Sequence, residues 1–116
     1  MPITCTIKDR IAEIVFDVPP VNAFDSETWM SIPEIIGKAG RDPDVNCILI
    51  RAEGRGFCGG VDIKEMQAHP DRITILNRGN YLTFKAIRDA EVPVVSAVHK
   101  FVIGGGIGIC GASDTI

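Results

Sequence analysis

Residues 54–62 combine four glycines with a terminal aspartate, and this pattern is suited to binding a negatively charged oxygen. Glycine lets a backbone turn sharply and approach a ligand closely, and successive N–H groups in a turn form a concavity for anions. Asp62, with Glu65 three residues later, has the pattern of a reciprocal helix cap. Val61 therefore lies between a glycine loop and a helix N-terminus, where N–H groups can point at an oxyanion. The simpler alternative is an ordinary structural turn.

A second glycine turn occurs at Gly104-Gly105-Gly106, after the apolar segment 92–98, which has the composition of a buried strand. An enzyme that transfers an acyl group or forms a thioester enolate needs two N–H donors, from separate segments, that converge on one oxygen. Two strand-to-glycine-to-helix junctions in one chain offer such a pair. The two junctions are therefore typical of an enzyme that acts on a thioester carbonyl.

The other strands are predicted from alternation and from short apolar runs. Residues 4–8 and 11–16 alternate apolar and polar side chains, which predicts a β-hairpin that Pro19 and Pro20 bring to an end. Residues 45–51 form an apolar, β-branched run, which predicts a buried strand directly before the first glycine turn.

A long helix is predicted between the hairpin and this buried strand. Asn22 or Asp25 should cap it, and it should run to about Gly40. Pro33 removes a backbone donor, so a break or kink is expected near Ser31. The predicted buried face consists of Trp29, Ile32, Ile35 and Ile36.

The segment 72–89 repeats apolar residues at helical spacing and is predicted to be a scaffold helix. We find no internal repeat and no interdomain linker, so one continuous domain is expected. The apolar side of this helix is predicted to contain Ile75, Leu76, Leu82 and Ile87, with Arg78, Lys85 and Arg88 exposed.

Composition narrows the class of protein. The chain has 116 residues, 46% hydrophobic and 23% charged, which fits one globular domain. No run of eighteen apolar residues and no secretory signal occur, so a cytoplasmic location is predicted. A net charge of -3 gives no electrostatic case for nucleic acid or an anionic membrane as partner. The four cysteines lack Cys-x-x-Cys spacing, so neither a metal site nor a disulfide framework is predicted.

The two turns together resemble the signature of the crotonase (enoyl-CoA hydratase/isomerase) superfamily, in which a glycine-rich turn ending in aspartate is joined to a Gly-Gly-Gly turn. Residues 56–66 match the first part and residues 104–106 the second. Segments 20–23 and 92–98 also lie where the superfamily has them. The stretches 51–56 and 104–108 look most like an actinobacterial branch linked to CoA thioesters of steroid degradation.

The resemblance implies an α/β fold in which ββα units coil into a spiral. Members of the superfamily are longer than this chain, so residues 1–116 are expected to be the N-terminal portion of one crotonase-like domain, truncated after the central Gly-Gly-Gly helix. Crotonases form homotrimers or hexamers largely through C-terminal helices. The expectation is therefore either non-native association of this chain or a structure in which much of the protein is missing.

The resemblance also assigns a site. The backbone N–H groups of Val61 and Gly105 correspond to the two donors that hold the thioester oxygen, and the β-branched Val61 narrows the space above that oxygen. Coenzyme A would enter as part of an acyl-CoA substrate, with no permanently bound cofactor and no metal. The residues implied in substrate or CoA binding are Gly60, Val61, Asp62, Ile63, Lys64 and Gly105.

One position departs from the hydratases of the superfamily. They hold the attacking water with two glutamates, of which the first corresponds to Gly108 and the second lies beyond Ile116. A protein without either group lacks general acid–base catalysis worth about 10²- to 10⁴-fold. A classical hydratase is therefore not expected. The alternatives are an isomerase or a C–C bond hydrolase acting on a cyclic, steroid-derived CoA thioester. Glu53 and Glu65 are expected to be solvated.

Other reactive side chains are assigned structural roles. His99, at the end of a predicted strand, is expected to be a satisfied structural histidine, His69 to be solvated, and Cys58 not to act as a nucleophile. Residues 106–111 fit Gly-x-Gly-x-x-Gly, which makes an NAD-binding module a rival. A catalytically inert fragment is a further rival.

Overall fold

The alternating N-terminal segments pair as predicted. In a computed structural model, which describes residues 2–116, β1 (Ile3–Lys8) and β2 (Ile11–Phe16) form an antiparallel hairpin. Asp9 and Arg10 join them with φ of 52° and 66°. These left-handed values match the twist of a two-residue hairpin. The inward side chains of β2 are buried, so the hairpin forms one wall of the core.

Two parallel strands extend this hairpin into a four-stranded sheet. β4 (Cys47–Ala52) pairs with β2, and β6 (Val94–Ser96) pairs with β4, which gives the order β1-β2-β4-β6. The predicted strand over 92–98 is regular only at these three central residues. A separate parallel ladder joins β3 (Ala23–Phe24) to β5 (Gly60–Val61). In the main sheet, β4 precedes the first predicted glycine turn and β6 precedes the second.

The first helix, α1 (Ser26–Arg41), is capped by Asp25, whose side chain accepts from the Thr28 backbone N–H. Of the predicted break or kink, the break does not occur, because the helix runs without interruption through Pro33. Proline cannot donate to the carbonyl four residues earlier, which here is that of Trp29. The buried Thr83 hydroxyl donates to this carbonyl at 3.4 Å and replaces the missing bond. As predicted, Trp29, Ile32 and Ile36 are fully buried, and Ile35 is half-buried.

The remaining helices are α2 (Ile63–Ala68), α3 (Ile73–Asp89) and α4 (Gly105–Ala112), with a 3₁₀ turn at Pro70–Arg72. α3 packs against α1, and α4 packs against α3. The prediction for Ile75 is wrong, since 48% of this residue is exposed. The inward face of α3 instead follows spacings of three and four residues, at Leu76, Gly79, Thr83 and Ile87.

The core lies between the sheet and the pair α1 and α3. Its aromatic centre is Phe24, whose ring lies 5.0 Å from that of Phe16 and 5.2 Å from that of Trp29. Phe57, at the first glycine turn, contacts Phe16. The turn is thus anchored in the core. Among residues 2–116, no helix is long and apolar enough to cross a bilayer.

Candidate functional site

The first glycine turn is held by a buried asparagine. Asn22 adopts a left-handed φ of 55°, and its Nδ2 donates to the carbonyl oxygens of Glu53 and Gly56, each at 2.8 Å. Its Oδ1 accepts from the Val18 N–H, and its own carbonyl accepts from the Gly59 N–H. Of the two caps predicted for α1, Asn22 is therefore not the one used. Its side chain is occupied by the turn, and Asp25 supplies the cap.

Val61 follows this turn in the short strand β5 and is half-buried. Two nearby amides are engaged: Gly59 donates to the Asn22 carbonyl, and Asp62 donates to the Phe24 carbonyl. Asp62 caps α2 by accepting from the Lys64 N–H at 3.0 Å. Val61 thus stands directly before a helix N-terminus, as the sequence predicted.

Glu65 does not form the reciprocal half of that cap and is not solvated, so both expectations are wrong. Its carboxylate accepts from the N–H and the hydroxyl of Ser26, at 2.8 and 2.9 Å, and pairs with Arg72 at 3.4 Å. The first N–H groups of α1 lack helical partners and attract negative charge, which explains this preference. Glu65 therefore fixes α2, and with it the segment after Val61, to α1.

The second glycine turn is held by close packing. Gly104 has a left-handed φ of 55°, and Gly105 is the first residue of α4, so no residue of the helix can accept from its N–H. A Cβ on Gly105 would lie 2.6 Å from Cζ2 of Trp29, and one on Gly106 would lie 2.7 Å from Cβ of Cys58. Neither position has room for a side chain.

The two turns meet. A Cβ on Gly104 would lie 3.8 Å from the Cα of Gly60, and one on Gly60 would lie 3.0 Å from the Ile103 carbonyl oxygen. The indole N–H of Trp29 donates to the Gly60 carbonyl at 3.3 Å, while the Trp29 ring lies beside Gly105. The residues that follow Gly60 and Gly104 are Val61 and Gly105. The fold therefore brings together the turns that carry both predicted donors.

A cavity of about 400 Å³ opens next to Val61. Asp62, Ile63 and Lys64 line one part of it, and the proline-rich loop before β3 lines another. Ile63 is 66% exposed, and Lys64 is exposed and forms no ion pair within residues 2–116. Four of the six residues implied in substrate or CoA binding thus border one accessible cavity: Val61, Asp62, Ile63 and Lys64.

Gly108 is the fourth residue of α4. The structure places Phe84 against it, and this contact was not predicted from the sequence. A Cβ on Gly108 would overlap the ring of Phe84 from α3. The position that the resemblance gives to a hydratase glutamate therefore has no side chain and no free space for one. No pattern in the sequence links these two residues, which are brought together only by the packing of α3 against α4.

The other candidates have structural roles. His99 bonds through Nε2 to the Gly54 carbonyl at 3.0 Å, so it is satisfied as predicted. Burial raises the pKa of Cys58 to about 11, although the Gly60 backbone opposes this shift. A thiol with that pKa is a poor nucleophile at neutral pH, which agrees with the prediction for Cys58. Glu53 pairs with Arg51 at the surface, and His69 is exposed.

The dinucleotide-binding alternative is contradicted. Its fingerprint requires the glycines to form the turn between strand and helix. Residues 106–111 instead lie inside α4, beyond the turn. Gly106 and Gly108 serve the packing of this helix against Cys58 and Phe84. No phosphate-binding turn is formed by this motif.

Comparison with known proteins adds to this geometry. The model of the enoyl-CoA hydratase/isomerase family matches residues 6–116. Two curated relatives, from Mycobacterium tuberculosis and Rhodococcus jostii, are each named a (7aS)-7a-methyl-1,5-dioxo-2,3,5,6,7,7a-hexahydro-1H-indene-carboxyl-CoA hydrolase. They are 44% and 47% identical over all of this chain and over 48% and 46% of their own lengths. The chain thus spans about half the length of the curated relatives it matches. Both organisms are actinobacteria, as the resemblance predicted.

Solved structures agree with the fold. A crystal structure of an enoyl-CoA hydratase/isomerase family protein from Hyphomonas neptunium has a TM-score of 0.87 at 32% identity, and covers 98% of this chain and 45% of that one. A structure from Legionella pneumophila reaches a TM-score of 0.90 at 22% identity, over 99% and 47% of the two chains. The predicted crotonase-like α/β fold is confirmed.

Proposed function

Because the chain belongs to the enoyl-CoA hydratase/isomerase family, we propose that it forms the part of an acyl-CoA enzyme that binds the thioester oxygen. In this proposal the backbone N–H groups of Val61 and Gly105 both donate to that oxygen. Negative charge that develops there during the reaction is stabilised by two fixed dipoles. Substituting one donor of such a pair typically costs about 10²- to 10³-fold in rate.

The observation that supports this proposal is the contact between the two glycine turns. Each donor follows a glycine with a positive φ, Gly60 for Val61 and Gly104 for Gly105, and these glycines lie against each other. Gly105 also begins α4, whose N-terminus favours negative charge. Separate segments thereby meet at one point, as a shared oxygen requires.

The cavity beside Val61 supports the placement of coenzyme A. Lys64 offers a cation at its edge for a CoA phosphate, and Ile63 offers apolar surface. Asp62 is occupied by capping α2, so its carboxylate shapes the loop. Gly60, Val61, Asp62, Ile63, Lys64 and Gly105 form the substrate-binding set of this proposal. Coenzyme A enters as part of the substrate.

For the reaction itself, we propose hydrolysis of a carbon–carbon bond in a cyclic CoA thioester. Water adds to a ring ketone and loses a proton, the bond between the ketone carbon and the carbon next to the thioester breaks, and the ketone carbon becomes a carboxyl group. The released electron pair moves into the thioester as an enolate. That enolate is then protonated at carbon. The two hydrolase names among the relatives support this class, and Gly108 disfavours water addition to a double bond. Glu53 and Glu65, which flank the first turn, are engaged with Arg51 and with Ser26 and Arg72.

Amide NMR tests the binding proposal directly. Titration of the ¹⁵N-labelled protein with butyryl-CoA should move the N–H signals of Val61 and Gly105 downfield, because both gain a hydrogen bond to the thioester oxygen. Free CoA, which has no thioester carbonyl, is the matched ligand. It should move the signals of residues 62–64 and leave Gly105 in place. Equal shifts of Gly105 with both ligands, or no shifts with either, would contradict the proposal.

A pair of variants at one position separates the donor from the side chain. Val61→Pro removes the N–H, and Val61→Ala keeps it while opening space above the oxygen. We expect butyryl-CoA affinity to fall at least about tenfold in the proline variant and to be retained in the alanine variant, as measured by calorimetry. Circular dichroism establishes that both variants are folded. Equal affinities in folded variants would contradict the role of the Val61 N–H.

The reaction class has its own test. We expect no hydration of crotonyl-CoA, because Gly108 provides no carboxylate to hold water, and mass analysis of the products measures it. Turnover in the range typical of enzymes, about 1–10³ s⁻¹, would contradict this prediction and leave the oxyanion assignment untouched.

A further inference from the structure

The ring of Phe84 occupies the space into which a side chain at position 108 would project. Phe84 projects from α3 toward α4, where a Cβ on Gly108 would overlap its ring. Phe84 is half-buried within residues 2–116. The core rings Phe16, Phe24 and Phe57 are fully buried by comparison.

The register of the two helices places this ring near the proposed donor. Gly105 and Gly108 are three residues apart on one face of α4, which separates them by about 4.5 Å along the axis. Asn80 and Phe84 are likewise one turn apart on α3. Asn80 packs at Gly105, and Phe84 packs at Gly108. The ring of Phe84 therefore lies about one helical turn from Gly105, within reach of an acyl group whose oxygen is bound there.

We propose that Phe84 determines acyl specificity, by presenting a flat apolar wall where a side chain at position 108 would otherwise meet the acyl group. This inference rests on the proposed function. An aromatic face buries a large apolar area against a ring-shaped acyl group and gives no hydrogen bond to a water molecule. A bulky cyclic acyl group fills the space against this wall. A four-carbon chain leaves part of it empty.

Leu82 provides the matched control. It lies two residues before Phe84 on the same helix and is also half-buried, but it lines a cavity between α1 and α3. Truncating Leu82 removes a similar apolar side chain from α3 without touching α4. Phe84→Leu is the conservative variant, since it keeps an apolar side chain of substantial volume at the wall.

The test compares two thioesters in four proteins. Calorimetry gives the affinities of cyclohexanecarbonyl-CoA and butyryl-CoA for the unaltered protein and for Phe84→Ala, Phe84→Leu and Leu82→Ala. We expect the unaltered protein and Leu82→Ala to prefer the cyclic thioester by about tenfold, the size of effect that apolar pocket contacts give. Phe84→Ala should abolish the preference, and Phe84→Leu should keep part of it. Affinity for free CoA should be equal in all four.

Two contrary outcomes are distinguishable. If a folded Phe84→Ala protein keeps the preference for the cyclic thioester, the specificity role is overturned while the proposed function stands. If the unaltered protein binds free CoA and both thioesters equally, or binds none of them, the proposed function fails and this inference fails with it.

The packing basis has a second measurement. Gly108→Ala should lower the melting temperature, because its methyl group overlaps the Phe84 ring. In a Phe84→Ala background, Gly108→Ala should lower the melting temperature by less. Gly111→Ala is the control, since a Cβ there meets nothing within 4 Å. If Gly108→Ala melts like Gly111→Ala, the ring does not occupy the space above Gly108 and the inference is overturned.

Discussion

The two glycine turns lie against each other but are held by different contacts. The first turn is held by polar contacts, chiefly the three that Asn22 makes to Glu53, Gly56 and Gly59. The second is held by apolar contacts, since Trp29 and Cys58 lie where side chains on Gly105 and Gly106 would be. Hydrogen bonds fix directions, whereas close packing fixes distances. Both turns exclude side chains, since a Cβ on Gly56 would lie 2.3 Å from the Phe101 ring, just as one on Gly105 would lie 2.6 Å from Trp29. What distinguishes the first turn is therefore the set of side-chain hydrogen bonds from Asn22.

The largest expected effect comes from breaking the polar turn at Asn22. Asn22→Ala leaves the carbonyls of Glu53 and Gly56 without their buried donor and the Val18 N–H without its acceptor. We expect the free energy of unfolding to fall by about 4 kcal/mol, since each unsatisfied buried group costs about 1–3 kcal/mol. Urea denaturation followed by circular dichroism measures it.

Two further variants isolate the cause of this loss. Asn22→Gly accepts the left-handed φ but makes no side-chain bonds, so it should lose nearly as much stability as Asn22→Ala. Asn46→Ala removes an exposed asparagine that bonds only to Arg10 and should change stability by less than about 0.5 kcal/mol. If Asn22→Gly proved as stable as the unaltered protein, the backbone conformation, and not the hydrogen bonds, would account for Asn22.

A second, smaller effect concerns Cys58, which lies on the first turn and packs against the second. Its thiol pKa is raised from 9.0 to about 11 in the folded protein by burial. The unfolded chain loses this proton near pH 9 and the folded chain near pH 11. Stability is therefore complete below pH 9 and decreases as the pH rises to 11, by about 2–3 kcal/mol.

Denaturation curves at pH 8 and pH 10.5 measure this loss. Cys58→Ala provides the comparison, because it should remove most of the pH dependence. The buried Cys110, whose pKa is also raised by burial, would account for a remainder. An equal loss in Cys58→Ala would show that another group dominates alkaline unfolding.

The smallest expected effect concerns Thr83, which contacts the second glycine turn indirectly, through Trp29. Thr83 donates to the Trp29 carbonyl that Pro33 leaves without a partner, and the Trp29 ring packs against Gly105. Thr83→Val should cost about 1 kcal/mol of unfolding free energy. In a Pro33→Ala background the helix supplies its own donor, so Thr83→Val should cost less. Thermal unfolding of the four proteins gives this coupling, and an equal cost in both backgrounds would contradict it.

Local signals in the sequence were sufficient for the elements and the turns. Alternation predicted the hairpin, an apolar run predicted β4, and glycine clusters followed by helix starts predicted where Val61 and Gly105 would stand. These features depend on neighbouring residues along the chain, so one sequence contains them. Their meeting in space was predicted only through resemblance to a family.

The contacts that hold the site could not be predicted in the same way. Asn22 reaches residues more than thirty positions away, Glu65 bonds to Ser26 across 39 positions, and Phe84 meets Gly108 from another helix. Asparagine and glutamate both have strong local roles as caps, which is why Glu65 was predicted to cap α2 and Asn22 was one of two caps predicted for α1. Which role wins depends on unpaired backbone groups that only the fold brings near.

Trp29 is the only tryptophan in the chain. Its indole N–H donates to the Gly60 carbonyl, and its ring lies against Gly105, so the one strong fluorophore touches both turns. All tryptophan emission from this protein therefore originates at the proposed site. Its wavelength and quenching report directly, without any attached label, on the polarity there and on any change in the distance between the turns.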